Sequence, residues 1–322
     1  MTRISNIAQH NLTISQIFET QSRLQRAQLQ LSTGKKSPNY SGIAIDSQRL
    51  INLESSRSRT DQFVTNNRIV TLRLQTMELS VANIFEAASK LKTILVNGLN
   101  AFNASEFSLN LEADNLLQEV SKQLNVKIGD RFLFAGNIID TAPVDLNAPG
   151  YSAPPSSYPS NTDTGYFQGD STRVKVRAAD DFDVTYGVTA DEAGFEKLIR
   201  ALQLAKTAST SPTIDRLRLQ EALAMVNEAI ADIPNIRSRI GASLNALDKA
   251  DVGHSDLLIF VEETISDIEN VDITAILLDA NGVETTWVET TDYTLSGAGD
   301  PSGGTLTATT APATGETLVI KR

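Results

Sequence analysis

Between Ile43 and Asn97 the chain runs for 55 residues without a glycine or a proline. As α-helix that run would reach roughly 80 Å, whereas helices of globular proteins usually end within ~20 residues. Its apolar residues keep one register, stepping by three and four. Leu53, Phe63, Val70, Leu74, Met77, Val81, Ile84, Ala88, Leu91 and Leu95 fall on it, with Ser56, Thr60 and Asn67 between them. A sustained 3.5-residue repeat requires a partner helix along its length, because alone it would leave a long apolar stripe in water.

The second half of the chain supplies a matching register. Leu219, Ala222, Val226, Ala229, Ile233, Ile236, Ile240, Leu247, Ala250, Leu257, Val261, Ile268 and Val271 share it, with Ser243, His254 and Thr264 at the polar places. Pro234 lies inside this run and predicts a kink or a short break. The expected fold is therefore mainly α: an elongated, antiparallel, coiled-coil-like helical rod with a small β-rich insertion and a β-rich C-terminal tail. Packing of the rod is assigned to Val70, Leu74, Met77, Val81, Ile84 and Leu91 on the outgoing helix. On the return it is assigned to Ile240, Leu247, Leu257, Val261 and Ile268.

Composition divides the chain further. Residues 1–40 read as a helix and a turn, 41–140 and 191–274 as the two halves of the rod, 141–190 as the insertion and 275–322 as the tail. In the first segment Ile7 and Ile14 occupy heptad a positions, and Ile17, Leu24 and Leu31 occupy d, with Gln21 and Gln28 at later a sites. That is a narrow seam for another helix, and polar a positions fix register at a cost in stability. Gly34, Pro38 and Gly42 end it.

Gly98 is expected to break the rod, and Ala113, Leu117, Val120 and Leu124 mark a third helix. "GDRFLFAGNIIDTAPVDL", residues 129–146, reads as a turn and a short apolar strand leaving the helical layer. Five of the ten prolines follow between Pro143 and Pro159, and then the alternating runs RVKVRA and DFDVTYGV. Helix resumes near Asp191 with Phe195, Leu198, Leu202 and Ala205 on one face. After Thr274 the heptad stops. VETTWVE, YTL, GTLTATT and ETLVIKR read as strands, and Asn281-Gly282 as a type I′ turn pair.

The formal charge of −11 argues against nucleic acid as a main partner. With no cysteine, and with His10 and His254 in separate helices, neither a zinc site nor a nucleophilic triad is expected. "GAGDPSGG" has Ser302 where a dinucleotide loop needs its third glycine, and strand follows it. "DANGVE" lacks the next calcium ligand. Asp180, Asp181 and Asp183 read as a solvated turn, and Glu262, Glu263, Asp267 and Glu269 as a wet helix face. No catalytic residue, cofactor or metal is expected, and the chain reads as a non-enzyme. No apolar run approaches ~18 residues, and the start lacks the apolar region of a secretory signal.

"LSTGKKSPNYSGIAIDSQRL", residues 31–50, resembles the turn between the first terminal helix and the long rod helix of bacterial flagellins and flagellin-like junction proteins. "GDRFLFAG" before the proline-rich insert resembles the hook–filament junction family, hook-associated protein 3 (FlgL-like). "RSRIGASLNALDKA" and "ISDIENVDIT" resemble the return helix of both families. The resemblance covers about residues 1–274. It implies a flagellar axial protein, exported without a cleaved signal peptide to an extracellular position. Its implied partners are other hook-associated protein and flagellin subunits, a ring of its own copies and an export chaperone. It also implies that Ile7, Ile14, Ile17, Leu24 and Leu31 form an assembly interface, which in the family pairs with a C-terminal helix of the same chain. Residues 275–322 depart from the family and resemble a β-rich segment of phage-tail-like structural proteins, so residues 7–31 are expected to lack a mate within the chain. Flagellin itself, and a surface adhesion module acting through the β-rich segments, remain open alternatives.

Overall fold

The computed structural model describes residues 2–100, 109–151, 159–209 and 214–271, and five strands between Thr274 and Lys321. It divides into two compact units, one of residues 1–58 with 257–322 and one of residues 59–256. The helices are α1 (Thr2–Thr33), α2 (Ser47–Asn100), α3 (Leu109–Leu124), α4 (Ala193–Thr207) and α5 (Arg216–Glu269). Helices α2 and α5 contribute residues to both units, and the fold is mainly α as expected.

In the second unit three contacts set the direction of α2 against α5. Phe63 stacks on His254 with ring centroids 5.5 Å apart. Glu78 pairs with Arg237 at 2.5 Å, and the Leu99 carbonyl accepts from Arg216 at 2.6 Å. Moving forward along α2 means moving back along α5, so the pair is antiparallel. Val70, Leu74, Met77, Val81, Ile84 and Leu91 are buried, as are Ile240 and Leu247. Each such side chain contributes about 1.5–3 kcal/mol when taken out of water.

The polar places on the seam have a use. Asn67 donates from Nδ2 to the Ala178 carbonyl at 3.2 Å and to Asp251 at 2.7 Å. His254 donates from Nε2 to the same carbonyl at 2.7 Å. Ala178 lies in β3 (Lys175–Ala179), which pairs antiparallel with β4 (Phe182–Thr185). Two side chains that weaken an apolar seam thus dock a hairpin onto the helix pair, and they do so at a shared buried acceptor.

Helices α3 and α4 pack on each other and on α2 and α5 in one core, which includes Leu109, Leu117, Val120, Leu124, Phe195, Leu198 and Leu202. Asn110 donates from its amide to the carbonyls of Lys206 and Ala208, satisfying the end of α4. Asp215 accepts from the Arg218 amide at 3.1 Å and caps the start of α5.

The structure corrects several expectations. Helix α2 does not stop at Gly98 but continues to Asn100. Gly98 is buried there, and packing of the flanking Leu95 and Leu99 offsets the ~1 kcal/mol a helical glycine costs. Of the kink or short break expected at Pro234, the break is absent: helix α5 runs through it. The proline is exposed while Ile233 and Ile236 stay buried, so the lost hydrogen bond falls on the wet face. The RFLFAG run does not leave the helical layer. Only Arg131–Phe132 is strand (β2), paired with Lys127–Ile128 (β1). Leu133, Phe134 and Ala135 turn inward and are buried, and Phe134 meets Phe195 edge-on at 6.1 Å.

Gly136 ends that run at φ +70°, and a Cβ there would lie 2.8 Å from the carbonyl carbon of Asp170. Backbone cannot yield as a flexible side-chain tip can. Gly136→Ala is expected to lower stability by about 2 kcal/mol or more, read from the urea midpoint.

The first unit holds α1, a 3-10 turn (Tyr40–Ile43), the first turns of α2, the end of α5 and the tail strands. Leu50, Val261 and Ile268 are buried in it, and Arg57 pairs with Glu262 at 3.0 Å. Leu257, expected to pack, is 41% exposed. From His254 the seam steps by four to the half-buried Leu258 and then by three to Val261, the reverse of the assumed order. In the tail β5 (Thr274–Leu278) is flanked on both sides by antiparallel neighbours, β6 (Glu284–Trp287) and β9 (Thr317–Lys321). β7 (Tyr293–Ser296) and β8 (Thr305–Ala308) form a separate antiparallel pair. The pattern located β6 to β9 but missed β5, whose run TAILL follows the helix end directly and does not alternate. The Asn281-Gly282 turn lies outside the described residues.

Candidate assembly surface

Helix α1 spans 32 residues. Ile14, Ile17, Leu24 and Leu31 are between 37% and 58% exposed, and the Ile7 side chain lies outside the described residues. Leu12, Phe18 and Leu29 are exposed as well, so the apolar surface is broader than the a/d seam. The i,i+4 spacing of Ile14 and Phe18 was the available signal for that extra width. Among the described residues no helix follows Glu269, and the tail contributes strands. Glu19, Arg23 and Arg26 lie off the stripe, with Glu19 and Arg23 paired to each other.

The turn after α1 is held firmly. Gly34 has φ +69°, the left-handed geometry that ends a helix with glycine, and its amide donates to the Gln30 carbonyl at 2.8 Å. The next residues cross to the end of α5. The Lys36 amide donates to the Glu269 carbonyl at 2.6 Å, and the Val271 amide donates to the Gly34 carbonyl at 2.8 Å. Lys36 Nζ donates to the Asp267 carbonyl, and Lys35 Nζ pairs with Glu269 at 2.8 Å. One turn therefore satisfies the last carbonyls of two helices, and its two lysines stand at the negative end of the α5 dipole.

The second unit contains a different polar cluster. Arg200 and Glu196, four apart on α4, are buried; Nη2 donates to Oε2 at 3.1 Å and Nε lies 3.0 Å from Oε1. Arg200 also donates to the Ser160 carbonyl at 2.8 Å, and the Glu196 carboxylate accepts from the Asp163 amide at 3.1 Å. Glu221 accepts from the Ser160 amide at 2.5 Å. The cluster fastens the insertion to the helices. Beside it Tyr166 donates to the Ala190 carbonyl at 2.9 Å and meets Tyr151 edge-on.

Burial, with Asp163 and Glu196 nearby, pushes the Tyr151 phenol up to about 12. Burial, then Glu196, also raises the Tyr166 phenol well above its ordinary value. The unfolded chain loses these protons near pH ~10 while the folded chain keeps them, so stability falls as pH rises from 10 towards 12. Titration of absorbance at 295 nm should show both tyrosines ionising together with unfolding, not before it. Normal titration of all tyrosines in the folded protein would contradict this.

No family model matches the chain. It is 23% identical over 261 residues to flagellar hook-associated protein 3 of Escherichia coli (strain K12), covering 76% of this chain and 80% of that one. It is 22% identical over 295 residues to the protein of the same name from Salmonella typhimurium (strain LT2), covering 85% and 90%. Among solved structures it matches a putative flagellar hook-associated protein from Vibrio parahaemolyticus with TM-score 0.56 and 20% identity, over 69% of this chain and 97% of that one. A match to Bacillus cereus FlgL has TM-score 0.53 at 16% identity, over 68% and 99%. These likenesses make the chain FlgL-like, similar in fold and sequence to flagellar hook-associated protein 3.

Proposed function

We propose that the chain is a structural subunit of the bacterial flagellum at the hook–filament junction. It joins neighbouring axial subunits by helix packing, and it acts mechanically and not by catalysis. The uncovered apolar stripe of α1 carries this reading: Ile14, Ile17, Leu24 and Leu31 face solvent on a helix long enough to serve several neighbours. Similarity to hook-associated protein 3 along most of the chain supports the flagellar setting. On this reading the subunits form a ring between hook-associated protein and flagellin subunits, outside the cell, after export with a chaperone and without a cleaved signal.

Deleting the gene in its source bacterium tests the proposal. The expected result is hooks without attached filaments, loss of swimming and flagellin shed into the medium. Leu24→Asp/Leu31→Asp should fold but fail to restore swimming. Normal filaments in the deletion strain would overturn it.

A further inference from the structure

We propose that the cleft between the C-terminal halves of α3 and α4 and residues 144–147 binds a neutral hexose, free or at the end of a glycan. The cleft measures about 430 Å³, within the ~300–1,000 Å³ usual for small-molecule sites. Leu117 and Val144 are buried and Leu146 is half-buried, and together they give the wall a small aliphatic patch. The rest of the wall is polar, whereas most ligand pockets are mainly apolar. Gln118 and Ser121 come to it from α3, Asn147 from the loop and Gln203 from α4. Gln203 is 7% exposed, and its amide bonds the Tyr151 phenol, which fixes it in place.

Which of these groups is free decides the ligand. Lys206 is already paired with Asp114 at 2.7 Å. Thr207 Oγ1 donates to the Gln203 carbonyl at 2.6 Å and accepts from Arg218 at 3.2 Å. The side chains of Gln118, Ser121 and Asn147, by contrast, hydrogen-bond to no other described residue. Amides and hydroxyls donate and accept at once, as sugar hydroxyls do. Asp145 adds an acceptor: its Oδ1 takes the Asn147 backbone amide at 2.9 Å, and its Oδ2 bonds to no described residue. The aliphatic patch suits the C–H face of a pyranose ring. A charged ligand meets no unpaired cation in the wall and a single carboxylate, so the free groups match a neutral one.

Saturation-transfer difference NMR on the full-length protein tests this. The probes are glucose, galactose and mannose with their methyl glycosides, and lysine and a methyl sialoside as charged controls. At least one neutral hexose should give saturable transfer. Binding of its methyl glycoside marks a glycan end, and binding of the reducing sugar alone marks a free sugar. Gln118→Ala and Asn147→Ala should each weaken it about three- to tenfold, and Ser121→Phe, which fills the cleft, should abolish it. The first two side chains are exposed, so their loss should leave thermal unfolding unchanged. No transfer to any neutral hexose at ~20 mM, transfer to the charged probes instead, or binding that survives all three variants overturns the proposal. The junction assignment rests on the deletion phenotype and is untouched by either result.

Discussion

Phe134→Ala should lower the stability of the second unit by about 3–5 kcal/mol, the range for deleting a buried aromatic. Phe134 is fully buried and meets Phe195 at 6.1 Å. Its carbonyl also accepts from the Ala190 amide at 2.9 Å, tying this segment to the start of α4. The backbone is therefore held where it is, and the space left by the ring cannot close by a simple collapse. Phe134→Leu refills much of it and should cost less than half as much. Urea unfolding followed by circular dichroism reads both. A loss under ~1 kcal/mol for Phe134→Ala would show that the LFAG run is decoration on the core and not part of it.

Arg200→Met should cost about 3–5 kcal/mol, because it strands a buried carboxylate. Glu196 would keep the Asp163 amide but lose the cation that faces both its oxygens. The Ser160 carbonyl would lose its donor as well. The double variant Glu196→Gln/Arg200→Met removes both charges and should recover more than half of the loss. Hydrogen exchange should show residues 159–166 opening first in the single variant. Equal losses in the single and double variants would mean that the charge pair is not what holds the insertion.

The core helices could be read from the sequence because burial there follows a period. Val70 to Leu91 and Ile240 recur at three and four, and each is buried. Periodicity misleads where the step order shifts, as at Leu257, and where a costly residue falls on a harmless face, as at Pro234. It could not reveal the Glu196–Arg200 lock. On paper that pair is an ordinary i,i+4 surface bridge, and its spacing does not reveal that Ser160 and Asp163 hydrogen-bond to it. The stripe of α1 was legible as a seam.

The crossing of residues 34–36 with 267–271 has an evolutionary consequence. It ties the two helix ends to each other before β5 begins, with the Lys36 amide on the Glu269 carbonyl, Lys36 Nζ on the Asp267 carbonyl and the Val271 amide on the Gly34 carbonyl. The site is a natural graft point. An appendage exchanged there would join the chain at a point where the ends of α1 and α5 are already tied together.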